Sequence, residues 1–308
     1  MRKIFISVVA MLIALSVSAQ ELKVGSFNIK CGTSHGMGYY ESGNGWDDRK
    51  GFMFDFINFA AFDVFGAQEV RYGQLTDMVA ALPDYAYIGV GRDDGQTKGE
   101  FSPVFYRRER FKLLDSGTFW LSETPEKVSR GWDAACNRIC SWGYFQDKVT
   151  KEKFYFLNTH IDNKGAVAKT KSVELILKFI EERGKDVTVI VTGDMNVTQN
   201  SEWYKQFVAT GVLRDSFNIA KYRFAPSGTF STFTPTRYST NRIDHIFVSK
   251  NVVVERYGVF TLHYWKATDE ENYEGKRFPV NAEKRDVLLL SDHYPVQVNV
   301  LLNGAKKR

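Results

Sequence analysis

Six short segments of this 308-residue chain carry side chains that can bind metals, move protons or hold anions. Each segment ends or opens a short apolar run, so each polar group is expected at the end of a β-strand, where binding and catalytic groups are commonly presented. The residues concerned are Asn28, Glu69, His160 with Asp162, Asp194 with Asn196, Asp244, and Asp292 with His293.

The segment Gly193-Asp194-Met195-Asn196 has the residue types for activating water. Gly193 is expected to allow a tight exit from a strand, so that Asp194 and Asn196 project together from one turn. An aspartate there can orient or deprotonate a water molecule, while the asparagine donates a hydrogen bond to an anionic oxygen. This pair favours chemistry at an anionic centre.

Glu69, Asp292 and Asn28 add oxygen ligands of the kind that Mg²⁺ or Mn²⁺ prefers. A metal and hydrogen-bond donors that neutralise charge, with a carboxylate that positions water, suit phosphoryl chemistry. Zinc suits this set poorly, because no His-rich ligand spacing occurs in the sequence. We therefore expect Mg²⁺, or Mn²⁺, as the cofactor.

Each segment alone also has a structural interpretation. An asparagine at a strand end is usually a turn residue. A glutamate that ends an apolar strand, such as Glu69, is usually solvated, and a histidine such as His160 is as often structural as catalytic. The functional interpretation therefore depends on the whole set of positions.

Short apolar runs rich in β-branched and aromatic residues predict the strands that position these groups. They cover residues 23–29, 63–69, 85–90, 103–106, 112–119, 141–147, 154–160, 187–192, 243–249 and 295–301. Apolar residues at helical spacing predict helices over residues 49–61 and 170–183. The core-facing positions of these helices are expected to be Phe52, Phe56, Phe59, Val173, Ile176, Leu177 and Ile180.

The order of these elements predicts the fold class. Strands outnumber helices, and helices fall singly between groups of strands, which favours two packed sheets with helices outside over an alternating parallel sheet. The sequence contains neither a Gly-rich dinucleotide fingerprint nor a phosphate-loop pattern.

Taken in order, the segments SFN, QEV, NTHID, TGDMN, RIDHIFVS and SDHYPV resemble the endonuclease/exonuclease/phosphatase superfamily. The resemblance runs from Lys23 to about Leu302. It implies an α/β fold of the deoxyribonuclease I type, a four-layer α/β sandwich of two mixed β-sheets flanked by helices. It also implies a Mg²⁺- or Mn²⁺-dependent phosphoric ester hydrolase.

The resemblance implies roles for the metal and water positions. Glu69 is similar to the main metal ligand, with Asn28 and Asp292 at or near the metal. Asn28 is also expected near the substrate phosphate. Asp194 resembles the residue that activates the attacking water, and Asn196 resembles a contact to the scissile phosphate.

The resemblance also implies roles for the two histidines, for Asp244 and for two further residues. His160 and His293 resemble the pair that flanks the scissile phosphate, and Asp244 is expected to support His293 by fixing its tautomer and favouring the charged ring. Glu100 resembles an acid that partners His160, and Arg138 resembles a phosphate-binding arginine. The alternatives are a surface turn for Glu100 and a surface salt bridge for Arg138.

Residues 117–125 and 131–135 are similar to an exported bacterial subgroup of the superfamily. In that subgroup the segment after the catalytic histidine commonly reads His-x-Asp-His, whereas here Asn163 replaces the second histidine. Asp162 is expected either to face the substrate or to cap its strand.

The first twenty residues have the layout of a secretory signal peptide. Basic Arg2 and Lys3 precede an apolar run over residues 4–17, and small residues lead to a cleavage position near Ala19 or Gln20. The run is short for a bilayer span, and no second run follows, so no transmembrane segment is expected after its removal. We predict an exported protein, periplasmic or extracellular, with a single domain over residues 21–308.

The net charge limits the possible binding partners, and the cysteine content limits the possible disulfides. Removing the two leader cations takes the formal charge from +5 to +3, a weak and dispersed bias that permits nucleic acid as a partner without favouring it. We expect a monomer that binds a phosphoester substrate. Cys136 and Cys140 lie four residues apart in a segment that leads into a strand, which holds them too far apart to bridge each other, whereas Cys31 can pair with either in an oxidising compartment.

The sequence thus predicts hydrolysis of a phosphodiester or phosphomonoester by activated water, with small-molecule, sugar or lipid phosphoesters slightly favoured. Aromatic-rich insertions favour a sugar, although rings more often pack cores. The alternatives are a secreted endonuclease or exonuclease acting on DNA or RNA, and a catalytically silent binding module on the same fold. A glycosidase would leave both histidines without a role.

Overall fold

The chain folds into groups of strands with helices between them. The computed structural model describes residues 21–32, 45–267 and 285–302, so the expected signal peptide lies outside the described residues. The described strands are β1 (Leu22–Asn28), β2 (Val64–Gln68), β3 (Tyr85–Ile88), β4 (Val104–Arg107), β5 (Phe111–Trp120), β6 (Ile139–Asp147), β7 (Lys153–His160), β8 (Thr188–Asp194), β9 (Leu213–Asp215), β10 (Tyr222–Phe224), β11 (Asp244–Ser249), β12 (Val253–Val259), β13 (His263–Ala267), β14 (Arg285–Leu289) and β15 (Val296–Leu301). The described helices are α1 (Trp46–Ala60), α2 (Tyr72–Ala81), α3 (Ala166–Arg183), α4 (Glu202–Ala209) and α5 (Ser216–Ile219).

Most strands belong to two mixed sheets. The first has the order β10-β12-β15-β1-β2-β4-β3 and the second the order β5-β6-β7-β8-β11-β9, while β13 and β14 form a separate pair. Parallel pairing joins β1 to β2 and β10 to β12 in the first sheet, and β7 to β8 in the second. The central strands β1 and β8 each have one parallel and one antiparallel neighbour.

Alternation along the strands separates the hydrophobic cores. Phe154 and Phe156 of β7 and Ile190 of β8 enter the core between the two sheets. Leu157 and Val191, on the opposite faces of the same strands, pack in the core that α3 and α4 cover. The central strands β7 and β8 are therefore buried on both faces.

The outer face of the first sheet is covered in the same way by α1 and α2. Phe27 and Phe65 of this sheet pack with Ile57 of α1 and Met78 of α2. The layers run helix, sheet, sheet, helix, which confirms the predicted four-layer α/β sandwich.

Helix α1 buries a different apolar stripe from the one predicted. Met53, Phe56 and Ile57 are buried, whereas Phe52 and Phe59 are 48% and 86% exposed. Both sets recur at helical spacing, so periodicity alone cannot choose between them. Packing against the first sheet decides, and the prediction that Phe52 and Phe59 face the core is wrong.

Helix α3 packs as predicted, with Val173, Ile176 and Ile180 buried and Leu177 half-buried. Every predicted strand is present, but the sequence did not predict the helices α2, α4 and α5 or the strands β9, β10, β12, β13 and β14. Helix α2 carries a short apolar stripe, and β12 is interrupted by charged residues, so neither has a strong periodic signal.

A buried asparagine joins the two sheets beneath the polar strand ends. Nδ2 of Asn158, in β7, donates to the carbonyl oxygens of Ala67 at 2.8 Å and Pro103 at 2.9 Å. Its Oδ1 accepts from Gln68 Nε2 at 2.7 Å. A Cβ on Gly66 would lie 2.2 Å from this oxygen, so the junction requires glycine there. A satisfied buried network of this kind holds the sheets in one register.

Two further observations concern the membrane and the cysteines. In the described part of the chain, no helix combines the length and apolarity needed to cross a membrane. Cys31, Cys136 and Cys140 are all free, so neither disulfide that the sequence allowed is formed.

Candidate active site

The polar strand ends meet at one edge of the sandwich. Parallel strands β7 and β8 end there side by side, so His160 lies opposite Asp194. Strand β11 runs antiparallel to β8 and begins at the same edge, which places Asp244 opposite Asp194 on its other side. Asn28 ends β1 in the facing sheet, and its side chain reaches Asp194. The topology therefore gathers residues that are far apart in sequence.

Gly193 is required by strand packing rather than by a turn. It lies within β8, and a Cβ there would be 2.2 Å from the carbonyl oxygen of Thr159 in β7. The turn is made two residues after Asp194 by Asn196, whose φ is +49° and whose backbone N–H donates to Asp194 Oδ1 at 2.9 Å. The expected tight exit at Gly193 is thus corrected.

The amide of Asn28 links the two central carboxylates. Its Nδ2 donates to Glu69 Oε1 at 3.0 Å and to Asp194 Oδ2 at 2.9 Å, and its Oδ1 accepts the backbone N–H of Lys30 at 3.0 Å. An amide nitrogen offers only donors, and the amide oxygen is already occupied. In this structure Asn28 orients the two carboxylates, and its expected role at the metal or the substrate stays a prediction.

Three residues of the site have left-handed backbone conformations. Lys30, Glu69 and Asn196 have φ values of +58°, +60° and +49°. Such values are uncommon for residues other than glycine and are concentrated at functional sites. The backbone turns at these positions carry all three side chains to the edge where the strands end.

Lys30, which the sequence analysis missed, supplies a cation to this edge. Its Nζ lies 3.2 Å from Asp292 Oδ2 and 3.6 Å from Glu69 Oε2. Burial opposes the charged amine, but Glu69 and Asp292 outweigh it and raise the pKa of Lys30. The position of Lys30, two residues after Asn28, is a signal that could have identified it.

The residues present fit a divalent cation. Glu69, Asp194 and His293 each offer a ligand atom within 4.8 Å of the others. Carboxylate oxygens suit Mg²⁺ or Mn²⁺. Asp292 lies beside this group, and its carboxylate shares the ammonium of Lys30 with Glu69. Glu69 therefore belongs to both candidate carboxylate pairs, the pair with Asp194 and the pair with Asp292.

His293 is held and charged by two aspartates. Its Nδ1 lies 2.9 Å from Oδ2 of the fully buried Asp244, and its Nε2 lies 3.7 Å from Asp194 Oδ2. Burial favours the neutral ring, but Asp244 and Asp194 prevail and raise the pKa of His293 to about 10. The ring is therefore an imidazolium that faces Asp194.

His160 has the opposite charge state. Its Nε2 lies 2.9 Å from Asn196 Nδ2 and 3.4 Å from Asp194 Oδ2. Burial, reinforced by the nearby Arg138, lowers the pKa of His160 well below its ordinary value. Burial also raises the pKa of Asp194 to about 7. The central carboxylate thus stands between a neutral and a charged histidine.

Glu100 pairs with arginines rather than with His160. Its carboxylate lies 2.7 Å from Arg92 Nη1 and 3.7 Å from Arg71 Nη2. Burial raises the pKa of Glu100. In this structure Arg92 and Arg71 hold the carboxylate of Glu100, and its partnership with His160 stays a prediction.

Asp162 supports the site through hydrogen bonds to the backbone and to Arg138. Its carboxylate accepts the backbone N–H groups of Lys164, Gly165 and Ala135 at 2.8–3.0 Å, and Nε of Arg138 at 3.2 Å. Asp162 is fully buried, whereas Arg138 lines the cavity that is described in the next paragraph. Of the two roles expected for Asp162, these contacts favour the capping one, and the carboxylate also positions Arg138.

These groups surround a cavity of about 470 Å³, here called the reaction cavity. Its charged lining comprises Lys30, Arg49, Arg71, Arg92, Arg138, Glu69, Glu100, Asp194 and Asp292. Arg49, also missed from the sequence, donates to the carbonyl oxygens of Ile29 at 2.5 Å and Leu290 at 2.7 Å, and so joins the two chain segments that carry Lys30 and Asp292.

Comparison with solved structures reveals close relatives. An endonuclease/exonuclease/phosphatase family protein from Bacteroides thetaiotaomicron is 41% identical, with a TM-score of 0.84 over 92% of this chain and 98% of that one. A mannosyl-6-phosphatase from Bacteroides thetaiotaomicron VPI-5482 is 42% identical, with a TM-score of 0.83 over 91% of this chain and 100% of that one.

A more distant likeness is to sphingomyelinase C 2 of Leptospira interrogans serogroup Icterohaemorrhagiae serovar Lai (strain 56601). The two are 24% identical over 224 residues, which is 66% of this chain. This chain spans about a third (34%) of the length of that relative.

Residues 25–293 match the model of the Endonuclease/Exonuclease/phosphatase family. The match includes all the polar strand ends that meet at the reaction cavity, from Asn28 to His293. The chain belongs to the endonuclease/exonuclease/phosphatase family.

Proposed function

We propose that this protein is a phosphatase that hydrolyses the phosphate monoester of a phosphorylated sugar, with Mg²⁺ or Mn²⁺ as its cofactor. The observation that carries the proposal is the cation-rich reaction cavity of about 470 Å³ around Asp194 and His293. The 42% identical mannosyl-6-phosphatase supports a sugar as the group that carries the phosphate.

The charge of the cavity favours a monoester over a diester. At neutral pH a phosphate monoester carries close to two negative charges, with a second pKa near 6. Lys30, Arg92 and Arg138 line the cavity together with the imidazolium of His293. Charge-assisted hydrogen bonds from such donors are stronger than neutral ones, and they bind a dianionic monoester more strongly than a singly charged diester.

Glu69 and Asp292 are the residues that would hold the metal. These two carboxylates already share one cation, the ammonium of Lys30. His293 is a poor ligand, because its raised pKa keeps the ring protonated and leaves no free lone pair. When bound, a divalent cation supplies positive charge that stabilises the leaving oxygen.

Asp194 is the residue that positions the attacking water. Its pKa of about 7 is close to the optimum for a general base at neutral pH. His160 and Asn196 lie on one side of it and His293 on the other. The amide of Asn196 and the charged ring of His293 hold the phosphoryl oxygens, so water attacks the phosphorus in line with the leaving group.

We also propose that the protein is exported, because residues 1–20 have the layout of a signal peptide. We expect the mature chain in the periplasm or outside the cell. Fractionation of cells that express the full chain, with an antibody against the folded domain, tests this expectation. Recovery of an uncleaved chain in the cytoplasm contradicts it.

A substrate screen tests the activity. Purified protein with Mg²⁺ or Mn²⁺ is incubated with mannose 6-phosphate, glucose 6-phosphate, bis(p-nitrophenyl) phosphate, sphingomyelin and supercoiled DNA. We expect phosphate release from a sugar phosphate to exceed hydrolysis of both diesters, and EDTA to abolish it. Nicking of DNA or cleavage of sphingomyelin, with sugar phosphates at background, contradicts the proposal. Asp194→Asn serves as the inactive control.

A further inference from the structure

A second cavity of about 410 Å³, here called the neighbouring cavity, lies beside the reaction cavity. Its lining comes from residues 199–204, 217–228 and 238–242. None of the residues assigned above to catalysis or to the metal lines it. The proposed chemistry therefore leaves this cavity without a role.

The two cavities share a thin wall. Arg242 lines the neighbouring cavity and Ile243 lines the reaction cavity, and the Cα atoms of consecutive residues are about 3.8 Å apart. Likewise, Gly228 lines the neighbouring cavity and Phe230 lines the reaction cavity. The two cavities therefore lie on opposite sides of the same two chain segments, about one residue apart along the chain.

The wall is held in place by Gln199. Its Oε1 accepts the backbone N–H of Arg242 at 2.9 Å, and its Nε2 donates to the carbonyl oxygen of Thr240 at 2.9 Å. Gln199 also follows the strand end that carries Asp194 by only a few residues. The shape of the neighbouring cavity is thus coupled to the strand end that carries the reaction centre.

The lining of the neighbouring cavity carries one charge, which is paired with a carboxylate. Arg242 is its single charged residue, and Nη2 of this arginine is paired with Asp215 Oδ2 at 2.9 Å. The guanidinium also lies 3.9 Å from the ring centroid of Phe217. A single paired arginine offers an anion little attraction, whereas the reaction cavity gathers one lysine and four arginines.

The remaining groups suit a carbohydrate. Asn200 and Thr240 are exposed and offer an amide and a hydroxyl that can both donate and accept hydrogen bonds. Tyr238 is 72% exposed at the same cavity and presents an aromatic face. A sugar ring has hydroxyl groups at its edge and C–H groups on its faces, so it matches amides, hydroxyls and an amphipathic ring together.

We propose that the neighbouring cavity binds the sugar unit next to the phosphorylated one, so that the preferred substrate is a phosphorylated oligosaccharide rather than a free hexose phosphate. This inference rests on the sugar phosphatase activity proposed above. The phosphate enters the reaction cavity, and the neutral part of the glycan lies against Tyr238, Asn200 and Thr240.

The kinetic test compares two substrates, mannose 6-phosphate and mannotriose that carries one 6-phosphate. We expect kcat/KM to be at least about tenfold higher for the trisaccharide, and Tyr238→Ala together with Asn200→Ala to reduce this ratio about tenfold, as for the loss of a stacked ring and its hydrogen bonds. Tyr87→Ala, which removes another exposed tyrosine on the edge strand β3, is the matched control. A ratio near one in the parent protein, or a ratio unchanged in the double variant, overturns the proposal.

A binding test separates this proposal from the proposed activity. Saturation-transfer NMR with unphosphorylated mannotriose should show binding to the parent protein and to the Tyr87→Ala variant, but not to the Tyr238→Ala/Asn200→Ala variant. Binding in that pattern without phosphate release from either sugar phosphate would support the cavity and refute the activity. Phosphate release from mannose 6-phosphate without mannotriose binding, and with a substrate ratio near one, would refute the cavity alone.

Discussion

The ammonium nitrogen of Lys30 lies 3.2 Å from Oδ2 of Asp292, and the same nitrogen lies 3.6 Å from Oε2 of Glu69. A side-chain cation thus stands between the two carboxylates that we assign to the metal. An exposed ion pair would contribute little, but these groups lie in a largely buried cavity where charges interact more strongly. Lys30 and the metal therefore compete for the same negative charge.

Replacing Lys30 with methionine should tighten metal binding. Lys30→Met removes the competing cation and keeps the length of the side chain, so we expect the Kd for Mn²⁺ to fall by about tenfold, equivalent to about 1.4 kcal/mol. Isothermal titration calorimetry measures this constant. Lys50→Met, which removes a lysine paired with Asp47 and Asp77 and not lining the reaction cavity, should leave the Kd unchanged. Unchanged or weaker binding in Lys30→Met would contradict the competition.

Glu69 should be essential for metal binding. Glu69→Gln preserves the size of the side chain but removes the charge that every candidate carboxylate pair shares, so we expect no detectable Mn²⁺ binding by calorimetry at millimolar metal. Glu100→Gln is the matched control, because Glu100 lines the same cavity but is paired with Arg92. Equal loss of metal binding in both variants would show a general charge effect rather than ligation by Glu69.

Asp194 should be dispensable for folding and necessary for turnover. We expect Asp194→Asn to lower kcat by about 10²- to 10⁴-fold, the usual contribution of a general base. The melting temperature at pH 8 should be equal to or above that of the parent, because the raised pKa of Asp194 shows that its buried charge is unfavourable. Phosphate release and a thermal melt measure the two quantities. Activity within tenfold of the parent removes Asp194 from the proposed role.

The pKa of His293 predicts how stability depends on pH. Its folded-state pKa of about 10 exceeds the ordinary value of 6.5, so the folded state binds the proton more tightly than the unfolded state. The resulting stabilisation is complete below pH 6.5 and is lost as the pH rises through about 10. The pKa of Asp194 is also raised, and its contribution is lost mainly between pH 3.8 and about 7. Cys31 and Cys140, whose pKa values are raised by burial from 9.0, contribute above that pH, so the range from pH 7 to 9 reports mainly on His293.

Asp244→Asn tests this dependence. Because Asp244 raises the pKa of His293, the variant should lose less stability than the parent between pH 7 and pH 10. Urea denaturation in EDTA at several pH values measures the free energy of unfolding. Parallel curves for the two proteins across this range would exclude the Asp244–His293 coupling.

Asp162 should matter for stability more than an exposed aspartate does. We expect Asp162→Ala to lower the free energy of unfolding by about 3–5 kcal/mol, since it leaves Arg138 buried without its partner. Asp115→Ala, which breaks an exposed pair with Arg183, should cost about 0–1 kcal/mol. Urea denaturation distinguishes these values. Similar losses in the two variants would contradict the supporting role of Asp162.

Several features followed from the sequence alone, because they depend on local order. Apolar runs of four to eight residues predicted the strands, and the polar residue at the end of a run predicted the edge at which Asn28, His160 and Asp194 meet. The order of the motifs predicted the family. In each case the signal lies within a few neighbouring residues. Because side chains alternate between the two faces of a strand, this signal also predicts the direction in which each side chain points.

Other features were decided only when the chain folded, because they depend on distances between remote residues. Asn28 and Asp194 are 166 residues apart in sequence, yet they share a hydrogen bond that turns the asparagine into a donor. Helix α1 has two apolar stripes at helical spacing, and the sheet beneath it selects one of them.

The charge states of the site belong to this second group. His160 and His293 are the same residue type at similar strand ends, but Arg138 lies near one and Asp244 near the other, so their pKa values shift in opposite directions. Lys30 likewise gains its role from Asp292, a partner brought to it from near the other end of the chain. Residue types and their order determine which groups are available for chemistry, whereas burial and through-space charge determine which of them are ionised and which partners they hold.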